Sequence, residues 1–308
     1  MRIIHSDQVN CDGEGTISPA LEAILARISE EQHREWVNYL AHPRHFTAEK
    51  KENRAMGDWL AHIFRYLGYT VERQGPSENI VAAPSKFFGH GILVGAHYDS
   101  VPNSPGADDN ASAVAAMLGC ASALSQCSPH LPIMFVAFNR EEDGFLGSRE
   151  FVAQYHPSVR FECAHILEMV GFATRAPGSQ KVPPGLPITL RDSGDFLGLL
   201  SNAQSAPTMQ LVLKQSRFCT PQLPVTGLEV VPGAERAFPV LARSDHAPFW
   251  HQKIPALMWT DTAEFRNPNY HLPSDTPETL DYTFLHWVTT LLTASVYLQA
   301  SALVPAEK

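Results

Sequence analysis

The sequence predicts an α/β fold in which helices cover an open, mostly parallel sheet. The apolar run from Ile133 to Phe138 has strand length and the pattern of a strand buried on both faces. Gly91 to Val94 and Ala164 to Val170 repeat that pattern, the second interrupted by Glu168. Segments of helical periodicity separate these runs. The runs ending at Val94 and Phe138 also give way to polar, acidic clusters before the next helix, and in open α/β sheets ligands bind at that edge. A length of 308 residues, 44% hydrophobic and 18% charged, suits a single domain over 1–308 with a generous core.

Residues 1–18 carry Gly13, Gly15 and scattered polar residues without periodicity, and read as an irregular N-terminal arm. From Pro19 to Leu40, the apolar positions Leu21, Ile24, Leu25 and Ile28, then Trp36, Tyr39 and Leu40, predict two short helices. Glu49 to Leu67 predicts a longer one, because Met56, Trp59, Leu60, Ile63, Phe64 and Leu67 recur at helical spacing and Gly68 follows as a stop. Tyr69–Glu72 and Asn79–Ala83 read as strands ahead of the central strand at Gly91, and the Ala-rich stretch Ala111–Leu124 as a buried helix. After the 133–138 strand another helix opens at Phe145. Residues 172–238 are rich in proline, with helices predicted over Asp195–Ser205 and Thr208–Ser216, and read as an insertion over the active edge that shapes a pocket. A helix beginning within Arg243–Trp250, a strand over Pro255–Thr260, a polar turn over Asn269–Thr276 and a long amphipathic helix from Leu280 to Leu303 complete the chain.

A net charge of −9 argues against nucleic acid and anionic membrane as partners. The five cysteines are scattered without a Cys-X-X-Cys, so neither a disulfide framework nor a thiolate metal site is indicated. Met1 to Asp7 lacks the apolar core of a signal peptide and no apolar run is long enough to span a bilayer, which makes the expected location cytoplasmic. The sequence carries no signal for oligomeric state.

Four strand ends present metal-competent side chains: His97 with Asp99 and Asp109, the Glu141-Glu142 pair, Glu168, and His271. An imidazole with a carboxylate two residues on suits a metal ligand and the group that fixes its tautomer. Glu168, inside an apolar strand, is costly to bury unless it is paired or coordinates an ion. Two histidines with several carboxylates and no cysteine suit a catalytic zinc site, with one or two ions. Adjacent glutamates allow one to ligate while its neighbour stays free as a base. Asp245 and His246 read as pocket residues near the same edge, and Asp275 as a partner for the His271 ring or a turn residue. His42, His45, His62 and His165 read as ordinary core or surface imidazoles, and Trp250 and Trp259 as packing.

The segments Gly95–Ser100, Pro105–Ser112, Phe135–Ser148, Glu168–Gly171, Ser244–Phe249 and Tyr270–Thr276, in this order, resemble the zinc aminopeptidase family that also holds glutamate carboxypeptidase and the glutaminyl cyclases. The resemblance spans about Glu49 to Tyr282. It implies a three-layer α/β/α sandwich around a mostly parallel mixed sheet, of the zinc-dependent exopeptidase type. It also implies that Asp109 bridges two zinc ions, that His97 and Glu168 complete one shell, and that Glu142 and His271 complete the other. Asp99 would orient His97, and Glu141 would be the general base. Tyr270 stands where some members use a tyrosine hydroxyl to stabilise an oxyanion, although a packed strand-end tyrosine reads the same way. Most of the family has aspartate at the Glu168 position, and the longer side chain would move or weaken the ion held with His97. The implied activity is removal of an N-terminal residue from a peptide. The alternatives are a glutaminyl cyclase, whose members tend to carry tryptophan before the last zinc histidine, a carboxypeptidase or hydrolase of another small amide, and a binding protein of the same fold.

Overall fold

The computed structural model describes residues 1–10, 17–85, 87 and 89–302. Cys11, Gly13 and Gly15 of the expected arm, and Leu303, lie outside the described residues. The strands are β1 (Arg2–His5), β2 (Thr70–Gln74), β3 (Asn79–Ala83), β4 (His90–His97), β5 (Ile133–Phe138), β6 (Arg160–Glu168), β7 (Leu197–Ser201), β8 (Val225–Glu229) and β9 (Ala256–Thr260). The helices are α1 (Pro19–Leu25), α2 (Glu30–Leu40), α3 (Lys50–Tyr66), α4 (Ala113–Leu124), α5 (Leu146–Tyr155), α6 (Ala206–Cys219), α7 (Ala234–Ala237), α8 (His246–His251) and α9 (Tyr282–Ser301).

The strands form one mixed sheet in the order β1-β8-β7-β9-β6-β4-β5-β3-β2. Its centre, β9-β6-β4-β5, is parallel, and antiparallel pairings bring in β3 on one side and β7 on the other. Alternation along the central strands sends side chains to opposite faces. Ile92, Val94 and Ala96 of β4, with Phe135 and Ala137 of β5, join a core with α2, α3, α4, α6 and α9. Leu93, Met134, Val136 and Phe138 join Phe151 of α5 and Phe249 of α8 on the other face. Burial on both faces is why these strands read as unbroken apolar runs, and each buried Phe, Leu or Val contributes about 1.5–3 kcal/mol.

Four expectations are corrected. The N-terminal arm is not irregular throughout: Arg2–His5 pairs antiparallel with β8 at the sheet edge. Only Ile4 of that strand is buried, so four residues carry no detectable alternation. Residues 172–238 are more than a covering insertion, since β7, α6 and β8 belong to the sheet and its helical layer. The helix expected over Asp195–Ser205 is the strand β7, because a short run buried on both faces has no periodicity to separate strand from helix. Finally, α9 is not amphipathic. It is apolar nearly all round and packs inside the helical layer, with Leu285, Val288, Leu291, Leu292 and Val296 fully buried.

His33 of α2 is fully buried where α2 meets α4, so close to Gly119 that a Cβ there would stand 2.7 Å from Nε2. Burial, and then the neighbouring His286, lower its pKa to about 3. The unfolded chain takes up this proton near pH 6.5 and the folded chain does not, so stability is lost as pH falls below that value. Between pH 7.5 and 5.0 the unfolding free energy of His33→Leu is expected to gain about 2 kcal/mol on that of wild type, measured by urea denaturation.

Candidate metal centre

The parallel centre of the sheet brings its strand ends to one edge. His97 closes β4 in register with Phe138 of β5, and Glu168 closes β6 in register with Thr260 of β9. Asp109 lies in the turn between β4 and α4, Glu141 and Glu142 stand three and four residues past the end of β5, and His271 lies in the segment between β9 and α9. Their side chains converge. His97 Nε2 stands 3.3 Å from Asp109 Oδ1 and 3.5 Å from Glu168 Oε1. His271 Nε2 stands 3.1 Å from Asp109 Oδ2 and 3.4 Å from Glu142 Oε2. The two oxygens of Asp109 therefore face two separate triads, His97-Asp109-Glu168 and Asp109-Glu142-His271. His97 and Asp109 are buried, while the His271 side chain, 37% exposed, forms the open side.

These spacings fit a metal better than hydrogen bonds. Charged N–H···O bonds run to about 2.7–2.9 Å, whereas ligand atoms about 2.0–2.1 Å from a tetrahedral ion stand about 3.3 Å apart. Both ring nitrogens of the buried His97, and Oε1 of Glu142, lack a hydrogen-bond partner among the described residues. Imidazole and carboxylate donors without thiolate are the donor set of a catalytic zinc site. The electrostatics agree. Burial opposes a cation on His97, but the charges of Glu168 and Glu141 outweigh it and raise its pKa. His271 is likewise raised to about 10 against burial, by Asp109 and Glu142, so positive charge is drawn to both positions.

Asp99 does more than the sequence indicated. Its Oδ1 is 3.4 Å from His97 Nδ1 and accepts from the Glu141 backbone N–H at 3.2 Å, while Oδ2 accepts from the Glu142 N–H at 3.2 Å. One buried carboxylate thus stands against the β4 histidine and anchors the loop that carries both glutamates. Glu141 lies within ligand reach of His97 and Glu142 but not in either triad that shares Asp109. Burial, with Glu168, Glu142 and Asp245 as neighbours, raises the Glu141 pKa well above the usual carboxylate range.

Glu168 reaches its triad despite the extra methylene, and its second oxygen accepts from the Ser244 hydroxyl at 2.6 Å. Of the two readings of Asp275, the turn holds: its carboxylate accepts from the backbone N–H groups of Asp108 at 2.9 Å and Asp109 at 3.1 Å. It holds the turn that presents Asp109. Asp108 faces away from the triads, accepting from the Gly171 N–H and the Asn267 amide. Asp245 accepts from the Ser148 hydroxyl at 2.5 Å, and His246 Nε2 lies 3.0 Å from the Leu241 carbonyl, so both brace the edge. Sequence reasoning missed Arg44. Its buried guanidinium bonds the carbonyls of His42, Tyr98, Pro105 and Gly106, pinning the loop between His97 and Asp109. A lone arginine after His42-Pro43 carries no signal of that task.

The Tyr270 ring stacks on His271 with centroids 3.7 Å apart. Its hydroxyl accepts from Arg243 Nη2 at 3.2 Å. Beside it lies an apolar cavity of about 120 Å³, bounded by Glu168 and Tyr270 and walled by Leu186, Ile188, Phe196 and Met258.

Among the described residues no helix is long and apolar enough to cross a membrane. The chain is 35% identical over 286 residues to the uncharacterised protein YfbL of Escherichia coli K12, covering 85% of this chain and 86% of that protein. It is 31% identical over 211 residues to the aminopeptidase YwaD of Bacillus subtilis, covering 67% of this chain but only 40% of that protein's length. The LapA aminopeptidase structure of Legionella pneumophila superposes with a TM-score of 0.74 over 97% of this chain and 80% of that one, at 18% identity, a likeness of fold. The model of peptidase family M28 matches residues 79–296, the span that carries every side chain of the twin triads, and the chain belongs to that family.

Proposed function

We propose that the protein is a zinc-dependent aminopeptidase, with one ion in each of the triads that share Asp109. The observation that carries the reading is the surplus of carboxylate at the site. Asp99, Asp109, Glu141, Glu142, Glu168 and Asp245 gather there, crowded enough that burial and mutual repulsion raise Glu141 well above the usual carboxylate range and Asp245 to about 7, so the site resists further negative charge. A cationic N-terminus is attracted to such a site and a C-terminal carboxylate is repelled. The nearby guanidinium groups are already committed, Arg243 to Glu264 and Arg44 to backbone carbonyls. The cavity beside Glu168 takes an apolar side chain, since an apolar cavity of about 150 Å³ holds a benzene ring.

Zinc bound here would supply an acidified water and an electrophile for the scissile carbonyl. Glu141 receives the proton of the attacking water and passes it to the leaving amine; its buried, acid-crowded position favours holding that proton. Asp99 keeps His97 and the Glu141-Glu142 loop in place during the transfer. Tyr270 offers its hydroxyl to the carbonyl oxygen as negative charge develops there.

The zinc-loaded protein is to be incubated with peptides of free or acetylated N-terminus, one beginning with leucine and one with glutamine, and the products read by mass spectrometry. Loss of the first residue from free N-termini alone is the expected result, with leucine released at least about tenfold faster than aspartate in matched peptides. Loss of ammonia from the glutamine peptide without cleavage would replace the reading with a glutaminyl cyclase. No product from any peptide, with zinc confirmed bound, would overturn both.

A further inference from the structure

Arg243 sits at the metal edge without contacting the triads. Its Nη1 bonds Glu264 and its Nη2 donates to the Tyr270 hydroxyl oxygen at 3.2 Å. The next residue is Ser244, whose hydroxyl holds Glu168 and whose carbonyl accepts from Ala247 at the start of α8, so the backbone under Arg243 is fixed. Arg243, Glu264 and Tyr270 line the same cavity as Glu168. The Tyr270 ring plane is set by its stacking on His271, at 20° between planes.

A phenol hydroxyl has one hydrogen and two acceptor lone pairs. With one lone pair taken by the guanidinium, the hydrogen is turned away from Arg243, and among the described residues nothing accepts it. A charged donor on the oxygen also polarises the O–H and strengthens it as a donor. The other role open to a cation here, binding a substrate carboxylate, would require Glu264 to be displaced first.

We propose that Arg243 is a positioning residue: braced by Glu264, it occupies the acceptor side of the Tyr270 hydroxyl and so commits that hydroxyl to donating toward the substrate's carbonyl oxygen. The inference rests on the aminopeptidase reading for its substrate, but the coupling of Arg243 to Tyr270 can be measured without turnover.

The test compares zinc-loaded wild type, Arg243→Met, Tyr270→Phe and the double variant on leucine p-nitroanilide, with zinc content and thermal midpoint as controls. Arg243 is 47% exposed, so the substitution spares the core, and Arg243→Gln is the second variant if Arg243→Met does not fold. Removing an oxyanion donor costs about 10²–10³ in kcat, so Tyr270→Phe is expected to lose about 100-fold and Arg243→Met about tenfold, with KM within about threefold. The double variant is expected to be no slower than Tyr270→Phe, because Arg243 acts through the hydroxyl. A double variant slowed by the product of the two single effects, or an Arg243→Met that raises KM and keeps kcat, would overturn the proposal. If wild type cleaves no anilide, the aminopeptidase reading falls and calorimetry decides the coupling. Loss of affinity for leucinephosphonic acid but not for leucine, in both single variants and without addition in the double, would uphold it. Unchanged affinity in Arg243→Met would end it.

Discussion

Glu141→Gln is expected to lower kcat on leucine p-nitroanilide by about 10²–10⁴-fold while zinc content stays at the wild-type level, because a positioned general base contributes on that order. Glutamine keeps the shape and loses the proton-accepting oxygen. The backbone N–H of residue 141 remains anchored on Asp99, so the loop and the Glu142 ligand stay in place. Glu141 also lies outside the two triads that meet at Asp109, so its loss need not release an ion. Metal analysis beside the kinetics separates the roles of the adjacent glutamates, since Glu142→Gln removes an oxygen from the His271 triad and should lose zinc as well as activity. A Glu141→Gln enzyme within tenfold of wild type would remove Glu141 from the chemistry.

How much of this site could be read from the sequence follows from the fold. In a sheet with a parallel centre, strand ends that are far apart in sequence arrive at one edge. His97, Asp109, Glu142, Glu168 and His271 were therefore visible as a set once four buried runs were seen to end in acidic or histidine-bearing turns. The supporting contacts were not visible, because they run between segments whose spacing carries no period. Asp275 holds the backbone at Asp108 and Asp109 across more than 160 residues, and Arg44 bonds carbonyls, which have no sequence identity. Ser244 on Glu168 is of the same kind: within Arg243–Trp250 it reads only as part of a helix start until the fold sets it against β6. The five-residue strands β2, β3 and β9 were legible along with the long central ones, whereas β1, with one buried residue, β7, buried without alternation, and β8, inside a proline-rich stretch, were not. Of the 172–238 segment, proline content announced a pocket-forming loop but hid two strands of the sheet.

Asp109→Ala is expected to abolish zinc retention and lower kcat by at least about 10⁴-fold, the largest effect of any single substitution at this edge. Asp109 stands close to both histidines, with Oδ1 3.3 Å from His97 Nε2 and Oδ2 3.1 Å from His271 Nε2. Every other ligand serves one triad that shares it, so the variants sort themselves by stoichiometry. With two zinc ions in wild type, Glu168→Ala should retain the ion at Glu142 and His271, and Glu142→Ala the ion at His97 and Glu168. The fold should survive the loss of Asp109, because the turn is held by Asp275 through backbone N–H groups, not through the Asp109 carboxylate. Removing that carboxylate also relieves a crowded acidic cluster, in which burial and the Asp109 charge raise Glu142 to about 7. Zinc per chain by mass spectrometry, after dialysis against a weak chelator, checks the series. Retention of one full equivalent by Asp109→Ala would mean that the triads hold metal independently and that Asp109 is not the bridge.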